Sequence, residues 1–101
     1  MHYLLMYDFV PDYVERRAEF REVHLSMAWE STARGELVLA GAFSDPVDGA
    51  VLVFDAPSKE VVEEFVRADP YVVNGLVTSW RIRPWTTVVG PLAKTPVRPS
   101  A

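Results

Sequence analysis

His24 and Asp69 are the residues of this chain best suited to moving a proton. A neutral imidazole is a base near physiological pH, and a carboxylate within hydrogen-bond reach would orient it and fix its tautomer. Asp69 belongs to the stretch Ala68-Asp69-Pro70-Tyr71-Val72-Val73-Asn74-Gly75, which is more specified than an ordinary connector. Pro70 restricts Asp69 to an extended or turn conformation, so the carboxylate is held at a helix end. Tyr71, Val72 and Val73 are apolar where a surface loop would be polar, and Gly75 permits a sharp exit. Arg17 and Arg21 share a helical face with His24 and could hold an anionic oxygen, while Tyr71 is a candidate pocket wall. Plainer alternatives stand beside each assignment. The Asp69 stretch could be a helix stop, and His24 a core histidine bonded to a backbone carbonyl. One arginine could pair with Asp69 as a structural ion pair. Spacing alone does not bring His24 and Asp69 together.

Composition narrows the chemistry around these groups. The chain has 101 residues, half of them hydrophobic, which fits one domain with a modest core that a partner subunit would help. With no cysteine there is no disulfide, thiol nucleophile or thiolate metal site. His2 and His24 are the only imidazoles, so no metal site is expected. A formal charge of −4 without a basic run argues against a nucleic-acid partner. No stretch is long enough to span a bilayer and no cleavage signal opens the chain, so a cytoplasmic location is the expectation. There is no phosphate loop or nucleophile elbow.

The elements that must position the candidates follow from pattern. His2–Phe9 reads as a strand that is apolar on both faces. Pro11 to about Ala33 reads as one long helix, with Asp12, Glu15, Glu19, Glu22, Ser26 and Glu30 on its polar side. Arg17, Arg21 and His24 lie near the middle of its broad apolar face. Leu37–Phe43 and Ala50–Asp55 read as a hairpin, with Gly41 marking a bulge or a close approach. A second helix opens at Pro57-Ser58, Ser58 being its N-cap, and buries Val62, Phe65 and Val66. Leu76–Trp85 is the last strand, and the Pro-rich segment 91–101 is an arm or loose tail beyond a domain at 1–90. The order βαββαβ gives an α+β, ferredoxin-like antiparallel sheet with both helices on one face. Strands apolar on both faces then call for a homodimer in which the two sheets face each other.

Tyr3-Leu4-Leu5-Met6-Tyr7-Asp8-Phe9, Arg21-Glu22-Val23-His24, Gly35-Glu36-Leu37 with Ala40-Gly41, the Asp69-Pro70-Tyr71-Val72 segment with Gly75, and Arg83-Pro84-Trp85 together resemble the YCII-like family. These pieces span most of residues 2–86. One departure is Ala42 after Gly41, where many members carry proline. The resemblance implies a ferredoxin-like fold, a dimeric α+β barrel and an active site built on His24 and Asp69. It extends to a dehydrochlorinase acting on a chlorinated hydroxyhydroquinone and, in fold, to muconolactone isomerases.

A base without a nucleophile or a metal suits isomerisation, or elimination of a leaving group such as halide, on a small cyclic or aromatic molecule with no cofactor. In that reading His24 moves the proton, Asp69 orients it, and Arg21 or Arg17 holds an anionic oxygen. The alternatives are a non-catalytic module binding a small anion, and an accessory dimeric domain whose His–Asp pair is structural.

Overall fold

Alternating side chains of the first strand, β1 (His2–Phe9), divide between two faces, and Leu5, Tyr7 and Phe9 form the buried set. The computed structural model describes residues 1–100. β1 pairs antiparallel with β3 (Gly49–Asp55) on one side and β4 (Val77–Trp85) on the other. β2 (Leu37–Ala42) extends the sheet, giving the order β2-β3-β1-β4 of a ferredoxin-like fold. The register sets Leu5 opposite Leu52 and Tyr7 opposite Ala50, so β3 buries the same face.

Four helices lie on that face: α1 (Tyr13–Arg16), α2 (Arg21–Ala33), α3 (Lys59–Ala68) and α4 (Pro70–Val73). α3 buries Val62, Phe65 and Val66, the stripe its sequence predicts. Ser58 stands at its N-cap in an extended conformation, but its side chain makes no capping bond. No described helix is long and apolar enough to cross a membrane.

The single helix expected from Pro11 to Ala33 is broken. A 3₁₀ turn at Arg17–Glu19, followed by Phe20 at φ −112°, separates α1 from α2. No glycine or proline marks this break; tertiary contacts make it. The Tyr13 ring stacks on Phe9 at 3.6 Å between centroids, and Arg16 Nη2 donates to the Asn74 carbonyl at 3.0 Å. These contacts hold α1 against β1 and the loop before β4, while α2 takes its own axis. α2 buries little: Ser31 is its one fully buried residue, and Val23 and Trp29 are 64% and 70% exposed. Its apolar flanks were expected to pack; instead a cavity separates much of α2 from the sheet.

Two backbone details shape that space. The expected irregularity at Gly41 lies earlier, at Val38, where the β2–β3 register shifts between Leu37 and Leu39. The extra residue pairs Leu37 with Phe54 on the helix side and Leu39 with Val53 on the opposite face. Gly49 is where the backbones approach closely: a Cβ there would lie 2.5 Å from the Tyr7 carbonyl oxygen.

On the sheet face away from the helices, Leu4, Met6, Val51 and Val53 are half-buried and Leu39 is exposed. Beyond β4 the chain folds back, with the Thr95 N–H donating to the Thr87 carbonyl and the Val97 N–H to that of Val88. Lys94 Nζ meets Asp55 Oδ2 at 2.6 Å, and His2 Nδ1 meets Thr87 Oγ1 at 2.8 Å. The Pro-rich segment, read as an arm or loose tail, is fastened to the sheet at Lys94; Ala101, its last residue, lies outside the described residues.

Candidate functional site

Pro70 does to Asp69 what the sequence predicts. Asp69 ends α3 in an extended conformation (φ −66°, ψ 118°) and caps α4, its Oδ1 accepting from the Tyr71 N–H at 3.0 Å. Gly75, at φ +76°, turns the chain out of α4, and the Leu76 N–H closes the turn on the Tyr71 carbonyl. The short helix α4 itself was not read from the sequence, which suggested only a turn.

The capping carboxylate is fully buried and has two further partners. His24 Nδ1 lies 2.8 Å from Asp69 Oδ1, and the Tyr7 hydroxyl donates to Oδ2 at 2.8 Å. Three donors and no competing acceptor suit the ionised carboxylate, which only accepts. Its bond to His24 then selects the tautomer with the proton on Nδ1, leaving Nε2 with its lone pair free of Asp69. The imidazole stacks on the Tyr71 ring at 3.9 Å and 12°, so the ring plane is fixed as well as the tautomer. No buried side-chain nitrogen or oxygen among the described residues lacks a partner.

Beyond the pair opens a cavity of about 430 Å³ between α2 and the β2 side of the sheet. Tyr7, Tyr13, Arg17, Arg21, His24 and Tyr71 line one end of it. The Arg17 guanidinium carbon sits 5.3 Å from the centre of the Tyr13 ring, and Tyr71 meets Tyr13 edge-on at 5.6 Å. Neither Arg17 nor Arg21 forms an ion pair with a described residue. The rest of the wall is mostly apolar, with Leu25, Ala28, Leu37, Ala40 and Leu52 beside Phe9 and Trp29, and Thr32 as its one hydroxyl. A hydrocarbon-lined space ending in two unpaired guanidiniums and an oriented imidazole can accept an anionic ring compound and exchange a proton with it.

The phenols report the electrostatics. Burial, and then the Asp69 carboxylate beside it, raise the Tyr7 hydroxyl far above the usual tyrosine range. It stays a hydrogen-bond donor throughout the physiological range. Tyr71 is pushed up to about 12, first by burial and then by the neighbouring Tyr13, against the opposing pull of Arg21 and Arg17. No cluster of three or more histidine, cysteine or carboxylate residues that could hold a metal occurs among the described residues.

Four of the five sequence candidates, His24, Arg21, Arg17 and Tyr71, line one space, and the fifth, Asp69, is buried behind it and reaches it through His24. The arginine–Asp69 ion pair considered as an alternative does not form; His24 occupies that position. Tyr7 and Tyr13 were not among the five sequence candidates. Tyr7 carried a usable signal: it shares the buried parity of β1 with Leu5 and Phe9, and a buried phenol needs a polar partner.

A model of the YCII-related domain matches residues 1–86. The chain belongs to this family. Among solved structures, this YCII-family chain is similar to the 5-chloro-2-hydroxyhydroquinone dehydrochlorinase TftG of Burkholderia phenoliruptrix AC1100, in complex with 2,5-dihydroxybenzoquinone. The match has a TM-score of 0.74 at 21% identity and covers 86% of this chain and 95% of TftG. Protein Atu4242 of Agrobacterium tumefaciens is similar at a TM-score of 0.58 and 15% identity, covering 93% of this chain and 98% of that one. At these identities the likeness establishes the fold. None of the curated proteins matches the sequence.

Proposed function

We propose that the cavity is the active site of a cofactor-free enzyme that moves a proton on a small cyclic or aromatic molecule, as an isomerase or as a lyase of the dehydrochlorinase type. The observation that carries this reading is the 2.8 Å contact of His24 Nδ1 with buried Asp69 at the cavity wall. Nε2 removes a proton from a ring carbon of the bound substrate. The electron pair left behind either expels a leaving group such as chloride or moves along the ring to be protonated elsewhere. Asp69 and the face of Tyr71 stabilise the imidazolium while it holds the proton. Arg17 and Arg21 hold the anionic oxygen of the substrate and the charge that builds on it. TftG, a dehydrochlorinase of the same fold, supports elimination among these chemistries.

The half-buried apolar face of Leu4, Met6, Val51 and Val53 supports assembly as a homodimer with the sheets facing each other. The two arginines, which could hold an anion with no proton moved, support the alternative of a non-catalytic binding module.

The test is chloride release from chlorinated hydroxyhydroquinones by wild type and by His24→Ala, with folding followed by circular dichroism. Loss of a general base is expected to lower turnover by about 10²–10⁴-fold with the fold intact. Comparable turnover by the variant would overturn the reading.

A further inference from the structure

The cavity is too large for a single ring. A benzene-sized molecule fits a cavity of about 150 Å³, whereas this one holds about 430 Å³. The surplus lies to one side of the reacting groups. His24, Ala28 and Thr32 follow one another at four-residue intervals along α2 and all line the space, so it runs about 12 Å along the helix at about 1.5 Å per residue. Every charged lining residue (Arg17, Arg21 and, when protonated, His24) stands at the His24 end. Away from that end the lining is Ala28, Trp29 and Thr32 of α2, Ala40 of β2, and buried Leu37.

We infer that the substrate of this site is an amphipathic ring compound: an anionic ring seated at Arg17, Arg21 and His24, bearing an aliphatic chain of several carbons that lies along Ala28, Ala40 and Leu37. Ala28 and Ala40 are then the residues that set the permitted chain length. The inference rests on the proton-transfer site proposed above and names the class of molecule it takes. The polarity of the two ends fixes the orientation. Reversed, the ligand would set its hydrocarbon against two guanidiniums and leave its anion without a cationic partner, which is unfavourable.

The probe is benzoate and its para-ethyl, para-butyl and para-hexyl derivatives, with dissociation constants measured by calorimetry at neutral pH. Burial of each methylene is expected to tighten binding about fourfold, or about 250-fold over the four methylenes from ethyl to hexyl. Ala40→Leu and Ala28→Leu, each checked for folding by circular dichroism, are expected to remove most of that gain by filling the chain's path. The series on wild type alone also decides the matter, should either variant misfold. If the hexyl compound binds no tighter than benzoate, the inference falls. Should the series bind equally, and the binding be lost in Arg21→Ala, the proposed site survives without the chain pocket. If no member binds, both readings fall.

Discussion

Two of the chain's carboxylates in close polar contacts lie one near each histidine, and the two regions differ in almost everything else. Asp69 is fully buried, with Tyr7, His24 and the Tyr71 N–H within 3.0 Å. Asp55, at the other end of the sheet, is one-third exposed; it meets Lys94 at 2.6 Å and the N-terminal ammonium at 3.6 Å. The shorter contact belongs to the weaker region. Water screens Asp55 and would replace its partners at little cost, whereas nothing can replace those of Asp69. His24 looks into a cavity; His2, although buried, spends its Nδ1 on Thr87 and fastens the returning chain. Proximity of charge makes a clasp at Asp55. Burial, an oriented ring and adjoining space make a site at Asp69.

This contrast can be broken by substitution. Asp69→Ala should have the largest effect, because it leaves the Tyr7 hydroxyl, the His24 Nδ1–H and the Tyr71 N–H without an acceptor. A loss of about 3–5 kcal/mol is expected from chemical denaturation. A loss below 1 kcal/mol would mean that water enters this corner readily. Tyr7→Phe takes away the one donor to Asp69 Oδ2 and leaves a single orphaned oxygen in place of three orphaned donors, so a smaller loss of about 1.5–3 kcal/mol is expected in the same assay. Lys94→Ala should cost less than about 1 kcal/mol, since both partners of that pair are accessible to solvent. Its pH dependence sharpens the point. The Lys94 hydrogen bond holds the Asp55 carboxyl below its ordinary 3.8. A depressed carboxyl contributes stability above its unfolded value, and that contribution disappears as pH falls through the folded value. The difference between wild type and Lys94→Ala should therefore be present near neutrality and vanish in acid below 3.8. A difference that persisted in acid would assign the role of Lys94 to packing.

The fold was legible because its signals are periodic. The apolar strands, the Val62–Phe65–Val66 stripe and the βαββαβ order all follow from local pattern. At the site, Asp69 was legible because Pro70 fixes the backbone before any tertiary contact forms. The grouping of Arg17, Arg21 and His24 was also visible, although the continuous helix used to derive it is interrupted at Phe20. The meeting of His24 with Asp69 was not visible, since it depends on how α2 and α3 lie across the sheet. Nor was the role of Tyr7, because strand parity gives a residue its face but not its partner. The looseness of α2 escaped for a related reason: its apolar sequence suggested packing, and the alanines that keep the sheet away from it lie on another element.

The irregularity at Val38 decides what those alanines do. Strand residues are read out two at a time, and one extra residue shifts the frame for everything after it. Before Val38 the frame sends Leu37 towards the helices; after it, Ala40 and Ala42 take that direction while Leu39 and Gly41 take the other. Paired without this bulge, the same residues would set Leu39 opposite Leu52 and turn it into the space beside His24. An isobutyl group would then stand where a methyl stands now, with no change to any residue that touches Asp69. In this fold the depth of the chamber is set by a single step of strand register.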